Sequence, residues 1–372
     1  MNEDNQKLDR ALEQVNERGF DGLIIYSNGT SYVLRPSYLH YFSGLRPLGR
    51  NNAVIISKSG DVALLIEPPW DLLRASKQSW IEDTRSSSDF VKDLIDIMGQ
   101  FGIKGSVGIV GSKEMTEDTY ASIGKQASIE LADDIIEEIA REKTKEELDI
   151  IRKTARIADI GFNEFLEYTR VGIREYELTA EMEYAMRSAG ADDNFTLMSS
   201  DKHNYAMRAP RDRRLSQGDI VLAEITPVCE GQFIQLCRTV VLGKPDAVLT
   251  EKYSLLMRAF EASLNSIKAG APASSISKAM NKVIGDAGYA EYCYPPHMRA
   301  RGHGLGVGSI APGGEIDDNT QIILEKDQVL IVHPNQYFPE TGYLACGETV
   351  LVTDSGVERL SKTETKLYVK ED

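Results

Sequence analysis

The feature that most narrows what this chain can fold into is that its second half occurs twice. Gly172, Leu178, Met182 and Gly190 return as Gly270, Ile276, Met280 and Gly288, at a constant offset of 98 positions. Each set reads as a turn glycine, two core positions one helical turn apart, and a glycine that caps the helix at its C-terminus. A strand follows each helix, Asp219-Ile220-Val221-Leu222 in one copy and Asp327-Gln328-Val329-Leu330 in the other. A partner strand follows in turn, from Gly231 to Thr239-Val240-Val241-Leu242 and from Gly342 to Thr349-Val350-Leu351-Val352. Two blocks in the same order make coincidence the poorer account, and the pattern predicts a pseudo-twofold α+β domain. Such a domain has a natural site where its equivalent strands face each other.

The first part of the chain lacks this repeat. Leu8, Leu12 and Val15 fall on one helix face, Leu23-Ile24-Ile25-Tyr26 is a strand, and Ala53–Ile56 with Val62–Ile66 forms a hairpin about Gly60. Phe90 to Met98 is a second amphipathic helix and Val107–Val110 a buried strand. These elements predict a smaller α/β domain over residues 1–138, with a second domain over 139–372 opened by a helix capped at Thr144 and running to about Glu167. No GxGxxG or Gly-Lys-Ser loop is present, so neither a dinucleotide nor a nucleoside triphosphate is indicated. With 57 acidic against 42 basic residues, a net charge of −15, the chain has no basic face for nucleic acid or anionic membrane. No apolar run is long enough to span a bilayer and the polar start carries no leader. Four cysteines without CxxC spacing point to a reduced, cytoplasmic protein.

Polar residues interrupt the apolar strands of the repeat. Glu224 sits in Val221-Leu222-Ala223-Glu224-Ile225, and His333 stands at nearly the corresponding place in Leu330-Ile331-Val332-His333. Gln235 and Cys237 share one strand face, with Ala345 and Gly347 at the equivalent places in the second copy. His303 lies among glycines in Arg301-Gly302-His303-Gly304, which permits close backbone approach to a ligand. Burying Glu224, His303 and His333 singly costs several kcal/mol each if charged, whereas a shared cleft supplies partners. Arg208, Arg211, Arg213 and Arg214 crowd one segment that reads mostly as a solvated turn, with Arg208 as its candidate for an anionic small substrate. Cys237 reads as a buried strand thiol, and His203 and His297 stay unassigned.

Gly-Asp-Ile-Val-Leu at 218–222, Arg238-Thr239, Gly302-His303-Gly304 and Glu348-Thr349-Val350-Leu351-Val352 together resemble the pita-bread family of creatinase, prolidase and aminopeptidase P (M24-like), over roughly the whole chain. The resemblance implies a pita-bread C-terminal domain behind a smaller α/β domain. Metal-dependent members place Asp, Asp, His, Glu and Glu on two divalent ions, and those places hold Glu224, Gln235, His303, His333 and Gly347 here. The family's substrate-facing histidine falls at Met207. Tyr41-Phe42-Ser43-Gly44-Leu45-Arg46 resembles the creatinase loop whose arginine reaches the partner subunit's site, which implies a homodimer and makes Arg46 a carboxylate clamp.

These departures lead to an expected function closer to creatinase than to a dinuclear metallopeptidase. It is a hydrolase of a non-peptide C–N bond in a small carboxylate-bearing substrate, working by acid–base catalysis with no cofactor required. His303, Glu224 and His333 are the expected catalytic residues, and Arg46, Gln235, Arg208, Met207 and Arg301 the expected substrate contacts. Two alternatives stay open. One is a mononuclear divalent-metal hydrolase or lyase on Glu224, His303 and His333; the other is a non-catalytic binding module on the same fold.

Overall fold

A computed structural model describes residues 3–29, 37–307 and 314–371. The chain divides into two compact units, Met1–Arg141 and Glu142–Asp372, where the sequence reading set the divide after residue 138.

The first unit is built on one sheet. Helix α1 (Glu3–Glu17) leads into β1 (Gly22–Ser27), and α2 (Tyr38–Ser43) precedes the hairpin of β2 (Asn52–Ser57) and β3 (Val62–Ile66). Then come α3 (Leu72–Gln78), β4 (Thr84–Ser86), α4 (Phe90–Gln100), β5 (Ser106–Val110), α5 (Glu117–Gly124), β6 (Ser128–Leu131) and α6 (Asp133–Ile139). The sheet order is β4-β3-β2-β1-β5-β6, antiparallel in its centre and parallel at both edges. Strand β1 is buried along its whole length, as its continuous apolar run requires of a central strand.

The second unit opens with α7 (Lys145–Tyr168). Its start is a capping box, with the Thr144 hydroxyl accepting from Glu147 N and the Glu147 carboxylate accepting from Thr144 N. Next come α8 (Glu175–Ser188), β7 (Asp193–Asp201), β8 (Ile220–Cys229), β9 (Gln232–Phe233) and β10 (Leu236–Leu242). The second half repeats the plan with α9 (Ala247–Leu264), α10 (Ser274–Ile284), β11 (Gly302–Gly304), β12 (Val329–Val332), β13 (Gln336–Phe338), β14 (Gly342–Leu344), β15 (Glu348–Val352), β16 (Val357–Arg359) and β17 (Leu367–Lys370). One sheet runs β17-β10-β8-β7 and the other β11-β12-β15-β16, with β13 and β14 as a separate hairpin.

The internal repeat is realised residue by residue. Gly172, Gly190, Gly270 and Gly288 all hold positive φ, between 84° and 101°, which a side chain would strain. Leu178, Met182, Ile276 and Met280 are fully buried. The two halves join where the equivalent residues Cys237 and Gly347 pair, through reciprocal N–H···O bonds of 3.1 and 3.0 Å. Two equivalent threonines then tie the join from opposite sides. Thr239 Oγ1 donates to Ala345 O and accepts from Ala345 N (2.7 and 3.0 Å), while Thr349 Oγ1 donates to Gln235 O and accepts from Gln235 N (2.8 and 3.0 Å). This is the pseudo-twofold α+β pita-bread architecture expected of the sequence.

Candidate active site

The join between the halves gathers the polar residues that interrupt the strands. Glu224 and Cys237 face each other in the β8–β10 register, and Cys237 Sγ lies 3.9 Å from Glu224 Oε2. From the other half, β11 carries His303 opposite Ile331, and His333 follows the end of β12. His303 Nε2 is 3.1 Å from the Gln235 side-chain amide, and the His303 and His333 rings meet edge to face at 5.9 Å. The structure therefore brings together Glu224, Gln235, His303 and His333.

Burial sets the charge state of this group. Glu224 is pushed up to about 7 by burial, against the opposing pull of hydrogen bonding from Gln235 and Cys237. Burial also lowers His303, and it holds His333 down at about 3 with the neighbouring His303 as the next cause. Both imidazoles are neutral at pH 7, while Glu224 populates both of its states. The Gly304 carbonyl, 2.9 Å from His303 Nδ1, can only accept, so Nδ1 carries the proton and Nε2 is the lone-pair nitrogen. Gln235 Oε1 is the amide atom 3.1 Å from Nε2, which suits a Glu224 carboxylate accepting from the Gln235 NH2 with a proton on Nε2. The neutral ring is satisfied by the opposite amide orientation, with the NH2 toward Nε2 and the carbonyl toward a protonated Glu224. The orientation of Gln235 is thus tied to the protonation of its two neighbours.

His333 is less well provided for. Its Nδ1 is buried without a hydrogen-bond partner among the described residues, an uncommon state for a native polar atom. The segment that carries it is fixed from behind by Arg301. That guanidinium, in a residue only 1% exposed, donates to Asn281 Oδ1 (2.8 Å), to the Pro334 and Asn335 carbonyls (3.2 and 2.9 Å) and to Gln336 Oε1 (2.8 Å). Arg301 is engaged in holding the His333–Gln336 segment, a different role from the substrate contact expected of it. Arg238 does the equivalent work in the other half, fully buried against Glu348 at 2.9 Å and donating to the Cys237, Gly347 and Thr363 carbonyls.

Met207 packs partly buried against the core of the second unit. Arg208 is half-buried, its carbonyl accepting from Met198 N and its N–H donating to Ser199 Oγ. The neighbouring arginines keep solvent contact, but two of them are also committed to buried carboxylates. Arg211 pairs with the fully buried Glu175 and Arg213 with the fully buried Asp219, clamping the start of α8 and the approach to β8. Arg46 lies half-buried in the first unit, between α2 and β2, with its carbonyl accepting from Arg74.

Two site residues went unread in the sequence. Asn335 accepts from Cys346 N at 2.8 Å and donates toward Cys237 Sγ at 3.9 Å, so it braces the join. Tyr343 on β14 is half-buried, and its hydroxyl lies near Cys237, Glu224, Arg301 and Asn335. Burial pushes that phenol well above its ordinary range, so it remains an O–H donor at neutral pH. The only signal for it was its place two residues before Ala345 on the repeated strand.

With this geometry in hand, comparison with known proteins is direct. Residues 149–354 match the model of metallopeptidase family M24. The Xaa-Pro dipeptidase of Pyrococcus furiosus is 26% identical over 366 residues, which cover 97% of this chain and 99% of that protein. The Xaa-Pro dipeptidase of Pyrococcus horikoshii is 27% identical, covering 98% and 99%. The crystal structure of the prolidase from Pyrococcus horikoshii OT3 superposes with a TM-score of 0.86 at 25% identity, covering 97% of this chain and 99% of that one.

These findings correct three expectations. The relatives are dipeptidases, which overturns a creatinase-like hydrolase of non-peptide C–N bonds. The matching model is that of a metallopeptidase family, which overturns both a protein set apart from the metallopeptidases and an enzyme needing no cofactor. The residues at the expected ligand positions are a separate matter, and they do not fit a two-ion centre. Among the described residues no three His, Cys, Asp or Glu side chains form a metal-binding group. Gln235 is neutral and Gly347 has no side chain to offer; a Cβ there would stand 3.0 Å from His333 Cβ and 3.1 Å from Cys237 Cβ and Sγ, so a carboxylate would need those neighbours to give by a few tenths of an ångström.

Proposed function

Because this chain belongs to metallopeptidase family M24, we propose that it acts on small peptides, hydrolysing dipeptides of the Xaa-Pro class at the join between its halves. The observation that carries this reading is the end-to-end similarity to Xaa-Pro dipeptidases, over 97–98% of this chain and 99% of theirs. The join supports it, since it offers an amide-sized group of polar residues in an otherwise apolar interior. Gln235 would orient the substrate amide, and Glu224, which burial brings to about 7, would take a proton from the water that attacks the carbonyl and return it to the leaving nitrogen as the C–N bond breaks, with His303 beside it. His333 Nδ1, without a hydrogen-bond partner among the described residues, would meet the ligand. Met207 and Arg208 would lie on the substrate side, with Arg208 facing the dipeptide carboxylate. No helix among the described residues is long and apolar enough to cross a membrane, in keeping with a small dissolved substrate.

The test is release of free amino acids from a panel of Xaa-Pro and non-proline dipeptides. It is run with protein as purified, after chelator treatment, and with added manganese, cobalt or zinc. Cleavage of Xaa-Pro dipeptides is expected, with a loss of roughly 100-fold or more in His303→Ala and Glu224→Gln. No cleavage of any dipeptide under any of these conditions, or full turnover in both variants, would overturn the proposal.

A further inference from the structure

Outside the polar group, the second unit carries a set of aromatic rings that no core requirement explains. Tyr337 on β13 is stacked between His297, at 5.4 Å and 18°, and Tyr205, at 6.3 Å and 16°. His203 meets both tyrosines edge-on, at 5.3 and 5.7 Å, and its Nε2 is held 3.0 Å from the Pro339 carbonyl. Three separate segments supply these rings, yet Tyr205 is 75% exposed and each of the others keeps solvent contact. Apolar side chains brought together and left open mark a contact surface more often than a fold requirement.

The stack runs up to the join. Tyr337 and Tyr343 are directly opposed in the β13–β14 register, so their side chains stand on one face of the hairpin. Tyr343 packs against the core that contains Cys237, while Tyr337 belongs to the stack. The segment bearing His203 and Tyr205 is fastened to the same hairpin, with Asn204 O accepting from Tyr343 N at 2.6 Å. The space beside Asn204 admits no side chain on Gly342, since a Cβ there would stand 2.5 Å from Asn204 O. The rings are therefore held on one hairpin whose other tyrosine packs toward the join.

We infer that the Tyr205–Tyr337–His297 stack is the side-chain subsite of the cleft and selects an aromatic residue in the peptide ligand. This rests on the reading of the join as a peptide site and adds the class of side chain. Near-parallel rings leave the open face of Tyr205 as the next step of the stack, and planar rings favour offset stacking of this kind. Because one hairpin carries both Tyr337 and Tyr343, a ring lodged there would place the rest of the peptide beside the hairpin whose Tyr343 packs toward Cys237.

The experiment separates this inference from the reading beneath it. Calorimetric titration compares N-acetyl-phenylalanine amide with N-acetyl-alanine amide on the whole protein, on Tyr205→Ala and on Tyr184→Ala, a tyrosine on α8 that is also 73% exposed. The expected result is roughly tenfold tighter binding of the phenylalanine ligand. That preference should vanish in Tyr205→Ala and persist in Tyr184→Ala. Equal affinities for the two ligands, or a preference untouched by Tyr205→Ala, would overturn it. Dipeptide cleavage without aromatic preference would sink the subsite and leave the peptidase reading standing. Aromatic-selective binding without cleavage would do the reverse.

Discussion

Replacing Glu224 by Gln should change how stability depends on pH, in a way that can be worked out beforehand. Burial moves this carboxyl from 4.5 to about 7, so the folded protein holds the proton more tightly than the unfolded chain. A raised folded-state value means stability that is complete below 4.5 and is lost as the pH climbs through about 7. At about 1.4 kcal/mol per pH unit, the loss across that window is on the order of 3 kcal/mol. Glutamine keeps the shape and carries no titrating proton. The difference in unfolding free energy, variant minus wild type, should therefore rise in favour of the variant across the window and level off above it. His333 works in the opposite sense. Its value is depressed from 6.5 to about 3, so its contribution grows as the pH rises between those values. Where the windows overlap the two trends offset each other in the wild type, and only the variant difference exposes Glu224. Urea titrations of chelator-treated protein at intervals across the range give the measurement. Infrared spectroscopy of the protonated carboxyl, absent in Glu224→Gln, gives an independent reading. A pH-independent stability difference would refute the assignment of a proton to Glu224 in the folded state, whatever its constant offset.

Two further perturbations bear on the join. Arg238→Met leaves Glu348 buried without its cation and should destabilise the second unit by about 3–5 kcal/mol, with much of that recovered in Arg238→Met/Glu348→Leu; equal melting temperatures for the single and double variants would refute it. Gly347→Glu, which restores a carboxylate at an expected ligand position, should destabilise by about 1–3 kcal/mol because its Cβ crowds His333 and Cys237, and an unchanged melting temperature would refute that crowding.

The architecture was legible because it is written in spacing. Four glycines at positive φ and four fully buried helix positions repeat at one offset, and each obeys a local rule that needs no knowledge of the partner half. The polar group at the join was legible where a polar residue broke an apolar run, as at Glu224 and His333, or stood among glycines, as at His303. Arg301 and the segment from Arg211 to Arg213 were misread for one reason. Their partners, the Pro334 and Asn335 carbonyls, Glu175 and Asp219, come close only after the sheets assemble, and a charged side chain in sequence looks the same with or without them. Tyr343 and the ring stack were out of reach on similar grounds, since tyrosine fits a strand, a surface and a binding site equally well. The creatinase reading failed differently, by treating changes at a few side chains as a guide to kinship. Similarity along the whole chain points to the dipeptidases instead.

Arg238 and Arg301 have a consequence for how this cleft could change over generations. Each grips backbone carbonyls beside the strands that carry the polar residues of the join, and neither hydrogen-bonds to the side chain of Glu224, Gln235 or His333. Support and chemistry are thus assigned to different positions. A scaffold divided in this way tolerates exchange at 224, 235 and 333 while the two anchors stay in place, so new reactivity can be sampled there one substitution at a time without passing through an unfolded ancestor.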